Sequence, residues 1–155
     1  MVCFREIQEE FYGIFQRRYD PVEAICCNDA EIILVTSGTA TSTCRLVLRS
    51  LRDRGEKVGI LKMKLFRPFP TAMAREATSR AKKIAVIDRN FSFGASGIFA
   101  QELRAALCNS PGRPPIFGYI AGIGGLDITM ELLEEIYWKT KDTAFPENES
   151  VWMGV

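Results

Sequence analysis

The order of apolar and polar positions divides the chain into segments of alternating helical and extended period. The first is helical: Phe4, Ile7, Phe11, Ile14 and Phe15 recur at three- and four-residue steps, with Arg5, Glu6, Glu9, Glu10, Arg17 and Arg18 mostly elsewhere. Asp20-Pro21 is expected to end it, because proline biases the preceding residue to extended backbone. An aromatic-rich helix ahead of the first strand must cover something, either a sheet edge or a neighbouring chain. EIILVT at 31–36 then reads as a buried strand, with Ser37-Gly38-Thr39 as turn and cap. The next helix puts Ala40, Cys44, Val47, Leu48 and Leu51 on one face and Arg45, Arg49 and Arg52 largely off it, and it stops at Gly55.

A second strand is expected over about 57–66, continuous at first, then alternating as Met63 and Leu65 against Lys62 and Lys64. That alternation suits a strand near the sheet edge, with one face less covered. Arg67-Pro68-Phe69-Pro70 is a stiff corner, and Pro70 falls in the first turn of a helix running through Ala81. IAVID (84–88) is the third strand, followed by a helix with Ile98, Phe99, Leu103 and Leu107 inward. After a loop at 109–115, a fourth strand at about 116–120 meets the glycine-rich A-G-I-G-G-L-D of 121–127. Thr129 caps a last helix carrying Leu132, Leu133 and Ile136, with Glu131 near its positive end. The tail from Lys141 reads as loose up to V-W-M-G-V, where Trp152 is placed to dock.

Strands alternating with helices predict an α/β domain: a three-layer open, mainly parallel sheet with helices on both faces and right-handed crossovers. One domain is expected over 1–155, with an N-terminal helix at 1–20, an α/β core at 30–138 and a C-terminal tail at 139–155. In such sheets the crevice lies beyond the carboxyl ends of the strands. Those ends hold Thr36-Ser37-Gly38, Phe66-Arg67-Pro68, Asp88-Arg89-Asn90 and the Gly122–Gly125 loop.

Composition changes this picture mainly by exclusion. A net charge of +1 supplies no bulk field for nucleic acid or an anionic membrane. The absence of histidine removes Ser-His and Cys-His catalytic pairs and any imidazole metal site. Cys3, Cys26, Cys27, Cys44 and Cys108 include no C-x-x-C pair, and their odd count suits reduced thiols. With no secretory core at the start and no long apolar run, a cytoplasmic, soluble protein is expected.

D-R-N-F-S-F-G-A-S-G at 88–97 has the strand-corner-glycine-helix layout of a phosphate loop, but only Gly94-x-x-Gly97 of a dinucleotide fingerprint and no G-K-[ST]. One reading places an anion on the helix amides beside Arg89. The other, favoured by the residues, lets Gly94 and Gly97 seat the helix on the strand while Phe91 and Phe93 fill adjacent core. Asp88 beside Arg89 is expected to be ionised and paired. Gly118, Gly122, Gly124 and Gly125 suit a functional loop and a structural turn equally, with Asp127 as a further cap or turn residue.

LKMKLFRPFP (61–70), IAVIDRNFSFGASG (84–97) and PIFGYIAGIGGLDIT (115–129), in this order, resemble the C-terminal domain of the α subunit of pyruvate:ferredoxin oxidoreductase, a 2-oxoacid:ferredoxin oxidoreductase. The resemblance covers nearly the whole chain and departs at Leu126, where related chains often carry arginine. It implies a fold like the transketolase C-terminal domain. It also implies a complex that oxidises a 2-oxoacid on thiamine diphosphate with Mg2+, passes electrons through iron–sulfur clusters to ferredoxin, and yields an acyl-CoA. The chain lacks a G-D-G…N run and a C-x-x-C-x-x-C run, so no cofactor is expected on it and no catalytic residue. Its implied role is a non-catalytic assembly domain packed against thiamine-binding and iron–sulfur subunits, with ferredoxin an indirect partner. Arg67, Asp88, Arg89, Asn90 and the Gly122, Gly124 and Gly125 loop match the family's motifs. With Ser92, Gly94, Gly97 and Asp127 they form the expected interface or ligand crevice. The alternative is a free-standing module holding a phosphorylated compound such as coenzyme A at the helix opened by Gly94.

Overall fold

The computed structural model describes residues 2–146 and 150–154. In chain order the elements are α1 (Val2–Phe15), β1 (Val22–Ile25), β2 (Ile32–Ser37), α2 (Ala40–Asp53), β3 (Val58–Met63), α3 (Thr71–Thr78), β4 (Lys83–Asp88), α4 (Ile98–Leu107), β5 (Ile116–Ala121), α5 (Met130–Asp142) and β6 (Val151–Met153). The strands form one sheet in the order β1-β3-β2-β4-β5-β6, parallel except for β1, which runs antiparallel on β3.

Successive side chains on a strand point to opposite faces, so each buried strand feeds two cores. Leu34, Ile60, Ala85 and Tyr119 turn toward Cys44, Val47 and Leu51 of α2 and Leu133, Ile136 and Tyr137 of α5. Ile33, Val35, Leu61, Ile84 and Val86 turn the other way, toward Ala74 of α3 and Ala100, Leu103 and Leu107 of α4. These are the three expected layers. The apolar faces expected for α2 and α5 lie in the core, except that Leu132 is only partly buried.

The ends of the sheet differ from the sequence expectation. β1 and β6 are both additional strands: β1 pairs Val22 with Met63, and β6 lies parallel to β5 with Tyr119 opposite Val151. The expected second strand, β3, therefore stands one place in from the edge. The expected loose tail instead continues α5 to Asp142 and later returns as β6. Helix α3 stops at Thr78 rather than Ala81. Helix α1 stops at Phe15, because Gln16 takes a left-handed φ of 55° and the chain turns back so that Arg18 reaches Glu9 at 2.8 Å. No helix of the described residues is long and apolar enough to cross a membrane.

Candidate functional site

β2 has β3 on one side and β4 on the other, so successive connections leave it in opposite directions. A crevice opens at such a switch point, beyond the carboxyl ends. The corner after β4 lies there. Its first residue, Asp88, is wholly buried. One carboxylate oxygen accepts from the Phe99 amide and the other from the Ala100 amide, each at 3.0 Å, and Asn90 Nδ2 donates to it at 3.2 Å. Asn90 Oδ1 accepts from the Ile98 amide at 2.8 Å, and the Gly97 amide reaches Ser150 Oγ at 3.5 Å. The N-terminal amides of α4 are thus met from within the chain. Asp88 supplies the negative charge that a helix N-terminus favours.

This geometry corrects three expectations. Asp88 does not pair with Arg89, because Asp88, the last residue of β4, is turned inward onto α4 while Arg89 beyond the strand end is exposed; Arg89 instead donates to the Gly122 carbonyl through Nη2 at 3.1 Å. Asp88 also presents nothing to a crevice or partner, since its carboxylate is inside the fold, and Asn90 is half-buried with its side chain engaged in the same cap. The proposed anion on the helix opened by Gly94 finds the amides of residues 98–100 already bonded to Asn90 and Asp88. Burial pushes the Asp88 carboxyl above the ordinary aspartate range, against the opposing pull of the Phe99 and Ala100 amides.

The glycines of the motif do separate jobs. A Cβ on Gly97 would stand 2.2 Å from Asp88 Oδ2, so this glycine makes room for the internal cap. Gly94 has φ 76° with open space around it and serves the turn, which Ser92 closes by accepting from the Ala95 amide at 3.0 Å. Phe91 rests on Trp152 with ring centroids 5.2 Å apart. Phe93 fills no core; it is 95% exposed, because the turn carries it outward.

At the neighbouring corner Gly122 has φ 73°, and a Cβ there would meet Ile128 Cγ1 at 2.8 Å and Arg89 Nε at 2.9 Å. Arg89 and this glycine therefore lock the end of β4 to the loop after β5. Gly124 and Gly125, at φ 73° and 87°, lie with Leu126 and Asp127 on the exposed tip. Thr129 caps α5 as expected, its Oγ1 accepting from the Leu132 amide at 3.2 Å. Arg67, after β3, is exposed but committed: it donates to Glu102 of α4 at 2.6 Å and its guanidinium lies 3.9 Å over the Phe66 ring.

The structure thus brings Asp88, Asn90 and Gly97 into one capping unit and Arg89 with Gly122 into another, while Arg67 stands apart, bonded to Glu102 of α4. Glu102 and Ser150 complete these corners and carried no signal in the local sequence pattern, whereas Trp152 docks as expected, on Phe91. Among the described residues no three His, Cys, Asp or Glu side chains gather as metal ligands. Burial pushes the Cys44 thiol up to about 12 and the Cys27 thiol to about 11, so neither is poised as a nucleophile. The arrangement fixes loops; it does not present an acid–base pair.

Two solved structures share the fold. A 2-oxoglutarate:ferredoxin oxidoreductase from Magnetococcus marinus, solved with 2-oxoglutarate, coenzyme A and succinyl-CoA bound, gives a TM-score of 0.58 at 20% identity, over 90% of this chain and 23% of that one. A split gene transketolase, solved as an inactive tetramer, gives 0.61 at 14% identity, over 80% and 43%. In sequence, the chain is 41% identical to the pyruvate synthase subunit PorA of Methanothermobacter thermautotrophicus over 94% of its own length, and 38% identical to PorA of Thermotoga maritima over 86%. The ketoisovalerate oxidoreductase subunit VorA of Pyrococcus abyssi is also 38% identical, over 85%. The chain spans about a third of the length of these relatives, 36%, 34% and 34%. Residues 30–133 match the pyruvate:ferredoxin oxidoreductase core domain II, and the chain belongs to that family.

Proposed function

We propose that the chain is a non-catalytic assembly domain of the α subunit of a 2-oxoacid:ferredoxin oxidoreductase. Within the complex, thiamine diphosphate-dependent oxidative decarboxylation of a 2-oxoacid such as pyruvate yields an acyl-CoA and passes electrons to ferredoxin. The observation that carries this reading is a match to core domain II across residues 30–133 in a chain about a third as long as PorA relatives.

The residues of this chain do not fit the complex's cofactors. Its cysteines lack a cluster spacing, and its buried carboxylate, Asp88, is spent on the α4 amides. Thiamine diphosphate, Mg2+ and the iron–sulfur clusters accordingly belong to partner domains or subunits. Arg89, Phe93, the tip from Gly124 to Asp127 and Arg67 are among the carboxyl-edge positions left exposed for such a partner.

The test is to purify the 2-oxoacid-oxidising, ferredoxin-reducing activity from the protein's own cells and weigh its chains by mass spectrometry. The chain is expected in stoichiometric amount. A fully active complex without it overturns the proposal, as does turnover of pyruvate by the purified chain alone.

A further inference from the structure

We infer that α1 is the docking element of this domain, and that its apolar face seats on the part of a PorA-type subunit outside the stretch that these residues match. The inference rests on the assembly role proposed above and adds the surface that performs it. On α1, Ile7 is 65% exposed, Ile14 66% and Phe15 56%, with Phe11 and Tyr19 also open to solvent. Phe11 holds this face together, its ring 4.5 Å from Phe15 and 5.7 Å from Tyr19.

The side chains that tie α1 down belong to its own segment: Gln8 donates to Asp20 at 3.0 Å, and Arg18 to both oxygens of Glu9. Between α1 and the body runs a groove of about 580 Å³, bordered by Phe4 and Gln8 on one side and Pro21, Phe69 and Met73 on the other. A smaller hollow of about 160 Å³, lined by Phe4, Ile7, Gln8, Phe11 and Tyr19, is ready to receive an apolar side chain. A helix of 14 residues is marginal in water unless its apolar face is packed. This face is not packed by the body, and contiguous apolar surface of this kind marks an interaction site.

Charge and the extent of the sequence matches identify the occupant. The α1 segment balances Arg5, Arg17 and Arg18 against Glu6, Glu9 and Glu10, so it carries no cationic excess to draw anionic lipid or nucleic acid, which leaves a protein surface. The core-domain match at 30–133 leaves α1 out. The match to the M. thermautotrophicus PorA subunit spans 146 of the 155 residues, and so takes in at least the last six residues of α1. The helix thus goes with the whole subunit rather than with the domain body. In PorA it accompanies a further stretch of nearly twice the matched length, since the match is 36% of that chain.

The test mixes the tagged 155-residue chain with a separately expressed polypeptide that matches the rest of PorA, reads capture on the tag by mass spectrometry, and compares an Ile14→Glu/Phe15→Glu variant with Leu46→Glu on α2. The wild-type chain is expected to retain a polypeptide that matches the rest of PorA. The α1 variant is expected to lose it about tenfold or more, and Leu46→Glu to keep it. Thermal unfolding of the α1 variant should stay within about 2 °C of wild type, since both side chains are exposed, which separates lost docking from lost folding. Retention by the α1 variant overturns this inference alone and leaves the assembly role standing. A chain that instead pairs with a second copy through α1 also overturns it. Failure of the wild-type chain to retain any such polypeptide overturns both.

Discussion

Replacing Gly97 by alanine puts a single methyl group against the internal cap of α4. The added Cβ would stand 2.2 Å from Asp88 Oδ2, 2.6 Å from its Cγ and 2.7 Å from its Cβ. Carbon contacts settle at about 3.5–4.0 Å, so the neighbours must give by about 1 Å. They have little room. The Asp88 Cβ is fixed at the end of β4, which pairs on both sides, and its carboxylate is held by the Phe99 and Ala100 amides at 3.0 Å. Backbone strain does not enter, because Gly97 has φ −59° and ψ 136°, an extended conformation open to alanine. That conformation gives alanine an advantage of about 0.4–1 kcal/mol through the stiffer unfolded chain. Against it stand overpacking at about 1–3 kcal/mol and, if the carboxylate swings away, a lost cap at about 0.5–2 kcal/mol. The balance is a loss of about 2–3 kcal/mol.

Urea unfolding of the 155-residue chain, followed by far-ultraviolet circular dichroism and by Trp138 and Trp152 fluorescence, measures this directly. The midpoint should fall by about 1 M or more with the slope unchanged. An Asp88→Ala background removes the two nearest atoms, so Gly97→Ala should cost about 1 kcal/mol less there. A neutral or stabilising Gly97→Ala, or single costs that add within about 0.5 kcal/mol, would refute the packing account of this glycine.

Gly59→Ala on β3 should destabilise by about 1–3 kcal/mol in the same assay, because its Cβ would meet the Cys26 carbonyl at 2.8 Å and the Cys27 Cα at 3.1 Å, both backbone. Asp88 also predicts a pH dependence. Its carboxyl is raised on folding by burial, so its contribution is fully present below the unfolded aspartate range and is lost as pH rises through the folded value. Wild type should therefore gain on Asp88→Asn as pH is lowered from 7 toward 4.5; a difference that moves the other way overturns the sign. Maleimide labelling of the native chain should modify Cys3, Cys26 and Cys108 rapidly, and Cys27 and Cys44 only after unfolding, as read by intact mass.

Local sequence pattern was enough to define the middle of this protein. Ile32–Val35, Ile84–Ile87 and Ile116–Ile120 are apolar runs bounded by turn residues, and the helices between them repeat apolar residues at helical spacing. Both signals are local, and from them the layers and the carboxyl-edge corners follow. Tertiary structure decided the rest, because the deciding contacts lie far apart in the chain. β1 exists through pairing of Val22 with Met63, and β6 through pairing of Val151 with Tyr119, too short in each case for a period to show. The charge on Asp88 is written in the sequence, but its direction is not. Its place at the end of β4 turns it inward onto α4 and sends the adjacent Arg89 to Gly122. The amphipathic period of α1 was legible too, but only the fold revealed that its apolar face is left uncovered by the body, because no local pattern records which surface a helix meets.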